Sequence, residues 1–206
     1  MYNFFAYMAR MKLIRRWSLM KSVTDENIAE HSAQVAQIAH AIAVIANRVY
    51  GKDVNADRIT TLALYHESSE VITGDLPTPI KYYNPRIREA YKDIEGVANQ
   101  KLLSMLPDEL KEDYTPLVDQ PDDCYEHTVV KAADKLSAYI KCVEELRSGN
   151  REFAKAEVAL KKEVDAYLVL PEVKYFCDTF LDSFSKTLDE LESSGGRAYF
   201  SFKKEK

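Results

Sequence analysis

Apolar residues recur every three or four positions along most of this chain, and that period is the period of helices. No run alternates apolar and polar residues in the way a half-buried strand does, and no segment repeats. Glycine and proline, only 6 and 7 in 206 residues, fall mostly in clusters between the periodic runs. The breaks are Gly51, residues 74–85, Pro107, Pro116 with Pro121, Gly149, Pro171 and Gly195-Gly196; only Gly96 interrupts a helical pattern. They delimit helices expected over residues 3–14, from just after Thr24 to near Gly51, and over 55–72, 86–106, 126–147, 151–167 and 172–191. Asp25 and Glu26 read as acids in a first turn, where they favour the helix dipole, and Gly51 reads as a C-terminal cap. The run TGDLPTPIKYY reads as a loop, because two prolines two apart do not fit a helix interior. The expected architecture is all-α, one compact helical bundle over residues 1–191, with residues 192–206 as a disordered tail of Ser, Gly, Lys and a few aromatics.

Hydrophobic residues make up 46% of the chain, enough for a real core, and the formal net charge is -5 with no long basic run. Stable binding to a nucleic-acid polymer needs a basic face, so that class is excluded, whereas a local pocket can still hold a small anion. The 3 cysteines, Cys124, Cys142 and Cys177, are dispersed, odd in number and without a CxxC pair. That pattern fits a reducing compartment rather than a disulfide framework. The N-terminal stretch MYNFFAYMARMKLIRRW lacks the order of a signal peptide, and no apolar run approaches the ~20 residues of a membrane span. A cytoplasmic protein without a membrane partner is the expectation.

The chemistry concentrates on three helices. Ile28, Val35, Ile38, Ile42, Ile45 and Val49 form the core-facing stripe of the second, with one gap that His31 fills. His31 is therefore aimed inward. On the third, Ile59, Leu62 and Ala63 form the stripe and His66 continues it, with Glu67 beside it and Glu70 one turn on. Inward carboxylates beside an apolar face are costly without a partner, and a metal cation is such a partner. Asp134 lies on a face with Val130, Ala133 and Ser137; it reads equally as an inward acid or as one paired with Lys131 or Lys135. Two imidazoles and two carboxylates suit a divalent transition metal, which needs an open position for water. His40 falls between stripe positions and His127 at a helix start; both read as structural or surface residues. Arg15-Arg16-Trp17 adds an arginine beside the only tryptophan, a pair suited to a phosphate next to a sugar or base. By itself it reads as a surface arginine pair and a core anchor.

A single His, then a His-acid pair, then a distant Asp, all on helices, resembles the HD-domain phosphohydrolases. The segments RMKLIRRW, ENIAEHSAQVAQIAHA, LALYHESSEVITGDLPTPIKY and VKAADKLSAYIKCVEEL look closer still to the bacterial 5'-deoxynucleotidases, the YfbR-like family. The resemblance implies that His31, His66, Glu67 and Asp134 hold the metal, cobalt or manganese being candidates. It implies that Arg16 orients the phosphate and that Trp17 crowds the sugar 2' position. It places Glu70 near the attacking water and makes Asp75, Leu76, Pro77 and Thr78 a loop that closes on the substrate, with His31, Glu67 and Asp134 also facing it. The implied substrate is a deoxyribonucleoside 5'-monophosphate and the implied assembly a homodimer. One position departs: the family motif reads His-Asp, and this chain reads His66-Glu67. The alternatives are another HD-type nucleotide phosphohydrolase, a metal-binding nucleotide sensor whose activity is reduced because Glu67 replaces the motif Asp, and a helical scaffold with no site.

Overall fold

The computed structural model describes residues 1–81, 83–120 and 124–194. Its α-helices are α1 (Phe4–Met8), α2 (Ile28–Tyr50), α3 (Ala56–Tyr65), α4 (Glu70–Thr73), α5 (Thr78–Lys81) and α6 (Pro85–Leu103). They continue with α7 (Asp108–Val118), α8 (Tyr125–Arg147), α9 (Ala154–Tyr167), α10 (Pro171–Phe180) and α11 (Leu188–Ser194). Short 3-10 turns cover Met11–Leu13, Arg151–Phe153 and Leu181–Ser185, and the only β pairing among the described residues is an isolated bridge between Arg15 and Asn27.

The all-helical expectation holds, and the differences lie at helix ends. The first helix breaks after Met8, with a separate 3-10 turn behind it. The second begins at Ile28, because the Asn27 side chain accepts the N–H groups of Ala29 and Glu30 and so caps it there. Asp25 and Glu26 therefore precede the helix instead of lying in its first turn. Its far end is as expected: Gly51 closes it at φ 66°, a left-handed conformation that glycine adopts without a Cβ clash. The third helix stops at Tyr65, and residues 66–69 turn before α4 begins. The expected loop after it contains one helical turn, α5, in which Pro79 sits at the second position, where a missing N–H costs nothing. α7 was not expected, since Pro107 and Pro116 read as breaks. Pro107 precedes its first residue, with Asp108 and Glu109 following, and Pro116 lies in its last turn, so little of the backbone ladder is lost. The final expected helix is split into α10, a 3-10 turn and α11. The tail expected from residue 192 overlaps the end of α11, and residues 195–206 lie outside the described residues.

α2 is the central helix and packs on α3, α8 and α10. Ile28, Val35, Ile38, Ile42 and Ile45 are buried as their spacing demands, whereas Val49, in the last turn, is 50% exposed. The larger core gathers α2, α3, α8, α9 and α10 around Ile42, Ile59, Leu136 and Ile140. A smaller one gathers Phe4, Met11, Ile28, Val71, Leu102 and Val118. Ile28 belongs to the smaller cluster and Val35 to the larger, so His31 between them stands at the seam.

The segment leading into α2 is tied to α8 by Glu145. Its carboxylate, 2% exposed, accepts the Val23 and Thr24 N–H groups at 2.8 and 3.2 Å, the Lys141 ammonium at 2.5 Å and the Asn150 amide at 2.7 Å. Burial alone would raise its pKa, but Lys141 and the other donors outweigh that and hold it down at about 2. The folded value lies below the unfolded one. The stabilisation is therefore complete above about pH 4.5 and is lost as pH falls toward 2. Glu145→Ala, which leaves the Lys141 ammonium without its counter-charge and with the Thr24 carbonyl as acceptor, is expected to cost about 3–5 kcal/mol near neutral pH. Denaturant titrations across pH should show the gap between wild type and variant closing below about pH 4.

Candidate metal centre and active site

Four side chains from three helical regions converge at the seam. His31 comes from the first turn of α2, His66 and Glu67 from the turn after α3, and Asp134 from the middle of α8. One ligand atom from each can be chosen such that all four lie within 4.8 Å of one another. His31 Nε2 is 2.9 Å from Asp134 Oδ1 and 3.7 Å from Glu67 Oε1. His66 Nε2 is 3.8 Å from Glu67 Oε1 and 4.0 Å from Asp134 Oδ1.

His66 and Glu67 lie where α3 gives way to a tighter turn. Ser68 N–H bonds Tyr65 O, Glu70 N–H bonds Glu67 O and Val71 N–H bonds Ser68 O, the i to i+3 pattern of a 3-10 turn. The Ser68 hydroxyl donates to Tyr65 O at 2.5 Å, competing with a regular helix at that place.

Both imidazoles are oriented from behind. Ser137 Oγ donates to Gln34 Oε1 at 2.6 Å and lies 3.1 Å from His31 Nδ1, whose N–H it is free to accept. His66 Nδ1 donates to Ala63 O at 2.7 Å, which leaves Nε2 as the unprotonated nitrogen facing inward. That Nε2 is buried without a hydrogen-bond partner, and so is Glu67 Oε2. Orphaned buried acceptors on this donor set fit a divalent cation, which would satisfy both. The electrostatics agree. Burial and Arg16 oppose a proton on His31, yet Glu67, Asp134 and Glu26 outweigh them and raise its pKa to about 9. A field that favours a proton there also favours a metal cation. Asp134 keeps its second oxygen 3.5 Å from Lys135, so both readings of this acid hold at once.

Arg16 is buried, while Arg15 is exposed and paired with Asp25 at 3.1 Å. Arg16 Nη1 lies 2.5 Å from Glu67 Oε1. Burial would lower its pKa, but Glu67, Asp134, Glu26 and Asp75 raise it, so the guanidinium is fixed in its charged form. Trp17 has φ 57° and is the only non-glycine residue with positive φ among the described residues. A bulky side chain there carries strain of roughly 1–3 kcal/mol, which surrounding contacts must offset. Glu70 is 6% exposed, and burial, with Glu67 and Asp75, pushes its carboxyl far above the usual range. Asp75 is half-buried and within electrostatic reach of Arg16, Glu67 and His31; Leu76 and Pro77 follow it, and the Thr78 side chain lies outside the described residues. His40 is exposed and His127 half-buried, and neither joins the donor group.

Sequence reasoning missed Glu26, Ser137 and Phe153 as parts of the site. Glu26 bonds the Trp17 indole at 2.6 Å, and the Phe153 ring packs on that indole with centroids 5.2 Å apart. Ser137 had a visible signal, a buried hydroxyl one turn from Asp134 on the same face. Glu26 and Phe153 had none, since their partners come from other elements.

A helical bundle holding two imidazoles and two carboxylates at a buried seam, with an arginine at its edge, is the arrangement of a metal-dependent phosphohydrolase of the HD type. The chain matches the family model described as 5'-deoxynucleotidase YfbR-like over residues 3–184, and it belongs to that family. A 5'-deoxynucleotidase of Photobacterium profundum is 54% identical over 92% of this chain and 97% of its own length. One of Vibrio vulnificus is 55% identical over the same shares. Among solved structures, an HD-domain phosphohydrolase of Listeria innocua superposes with a TM-score of 0.78 at 24% identity, over 88% of each chain. The HD phosphohydrolase DatZ of cyanophage S-2L, bound to dA and one catalytic Zn2+, does so with 0.65 at 19%, over 86% of this chain and 96% of its own. At these identities the two structures speak for the fold.

Proposed function

We propose that this chain hydrolyses deoxyribonucleoside 5'-monophosphates to the nucleoside and inorganic phosphate, with His31, His66, Glu67 and Asp134 holding a divalent ion. The observation that carries the reading is the convergence of these four donors, with orphaned acceptors among them, next to a buried charged arginine. The metal, when bound, supplies Lewis acidity and a more acidic water. Arg16 presents a guanidinium fork to the phosphate oxygens and holds the ester for in-line displacement. Trp17 walls the sugar side and disfavours a 2'-hydroxyl. Glu70, held neutral by its surroundings, is a carboxylic acid able to give a proton to the departing 5'-oxygen. The proton released by the attacking water would return to that carboxylate, so Glu70 ends the cycle protonated as it began it. Asp75 to Thr78 form the loop that closes over the nucleotide.

Several finer points belong to the same reading. Cobalt and manganese are the metals expected to support turnover, residues 1–191 form the catalytic unit, and the enzyme works in the cytoplasm. No helix among the described residues is long and apolar enough to cross a membrane. The resemblance implies a homodimer.

A phosphate-release panel of deoxy- and ribonucleoside 5'-monophosphates with cobalt or manganese tests the reaction. Release from the deoxy series is expected, with at least about tenfold lower kcat/KM on the ribo series. Equal rates on both sugars would remove the role given to Trp17. One observation favours a second reading, a nucleotide sensor of low activity: Glu67 already occupies Arg16. No release by the wild type, with release regained in Glu67→Asp, would support that reading.

A further inference from the structure

Glu26 is a buried carboxylate to which the proposed reaction gives no task. Its side chain is 11% exposed, and it stands just ahead of α2 in contact with three residues of the site. Oε2 accepts the Trp17 indole N–H at 2.6 Å and lies 3.6 Å from Arg16 Nε. Oε1 lies 3.5 Å from His31 Nδ1. Its backbone carbonyl accepts the Arg16 N–H at 2.9 Å, next to the bridge between Arg15 and Asn27. Main chain and side chain of one residue thus hold the Arg16-Trp17 pair.

We propose that Glu26 is a positioning residue that locks Trp17 in its left-handed conformation and thereby sets how strongly the enzyme prefers 2'-deoxyribose. The inference rests on the reading of Trp17 as the wall at the sugar. An indole has a single N–H, and a bond from it to a carboxylate is the strongest directional restraint the ring can have. The Phe153 ring, with its centroid 5.2 Å away, supports the indole but does not fix its rotation. A steric wall discriminates only while it stays in place, and a displacement of about 1 Å is enough to change rates by on the order of 100-fold. The other parts of the site have separate supports. Arg16 stays bonded to Glu67 at 2.5 Å, His31 Nδ1 keeps Ser137 at 3.1 Å, and Glu26 is not among the four grouped donors. Loss of Glu26 therefore strikes selectivity ahead of metal binding.

The chain contains 1 tryptophan, so its fluorescence reports this indole alone. In Glu26→Ala the emission is expected to shift to the red and its anisotropy to fall, with cobalt content equal to that of the wild type. The ratio of kcat/KM for deoxy over ribo substrate is expected to drop about tenfold or more. Glu26→Gln keeps an acceptor for the indole and should return the ratio to within about threefold of wild type. In a Trp17→Phe background, Glu26→Ala should change the ratio by less than about twofold, because nothing remains to be held. An unchanged ratio in Glu26→Ala, or an equal drop in both backgrounds, would overturn the proposal. If Glu26→Ala does not fold, Glu26→Asp keeps the charge but shortens its reach, and the same outcomes decide. A wild type without sugar preference would defeat the reading of Trp17 instead. Glu26 is then judged by the fluorescence, where a shift in Glu26→Ala upholds the positioning role and unchanged emission and anisotropy refute it.

Discussion

Replacing His66 by alanine is expected to strip the protein of its divalent ion and to lower kcat/KM on deoxyribonucleoside monophosphates by about 10³-fold or more. The magnitude follows from the several kcal/mol that a cation contributes to a phosphoryl transition state, at 1.36 kcal/mol per factor of ten. His66 is the sharpest choice among the four donors. Its Nδ1 is committed to Ala63 O at 2.7 Å, and its Nε2 is buried with no partner. No described residue hydrogen-bonds that nitrogen, so its removal breaks no hydrogen bond at that atom. Metal analysis after dialysis, circular dichroism and phosphate release read the three consequences separately. Retained metal with activity within tenfold of wild type would mean that the ion is held elsewhere.

Glu67→Asp is expected to raise kcat/KM by about 10- to 100-fold. In the present chain Glu67 Oε1 lies 2.5 Å from Arg16 and 3.7 and 3.8 Å from the two imidazoles. The same carboxylate that belongs to the donor group also bonds the guanidinium to which we assign the phosphate. An incoming phosphate must displace or share that bond. Aspartate, shorter by one methylene, withdraws the carboxylate by about 1.5 Å and leaves the guanidinium fork open. The gain should sit mainly in KM for the nucleotide, and phosphate should protect the variant from thermal unfolding at lower concentration than it protects the wild type. Metal affinity, measured by competition with a chelator, tests the other possibility. A variant that binds cobalt more weakly and turns over more slowly would show that the site is built around the longer side chain.

The outcome for individual residues shows where sequence reasoning reached and where it stopped. His31 was legible because it fills the one gap in a stripe, and a stripe reports burial through a local period. It is fully buried, at the seam of two apolar clusters. His66 and Glu67 were legible as residues, but not the turn in which they lie, since a continuous helix was expected through residue 72. That turn is a change of backbone hydrogen bonding from i+4 to i+3 partners, which leaves no trace in hydropathy. α7 was hidden by two prolines that lie at its ends, where they do little harm. Glu26 had the residue type of a helix-start acid, and its task depends on partners that no spacing rule connects to it.

What the sequence alone determined is therefore what a period can encode: an all-helical chain, the inward aim of two histidines, and the family to which their surroundings point. The pairing of those groups was decided by tertiary structure. His31 meets Asp134 across 103 positions, Arg16 meets Glu67 across 51, and Val23 meets Glu145 across 122. Helical phase says which way a side chain faces, because it depends on neighbours within two turns. The distance to a partner depends on how helices pack, through apolar contacts that have no direction of their own. The two donors read from helical phase and the bond between Glu67 and Arg16 thus belong to different levels of the same chain, and only the second required the fold.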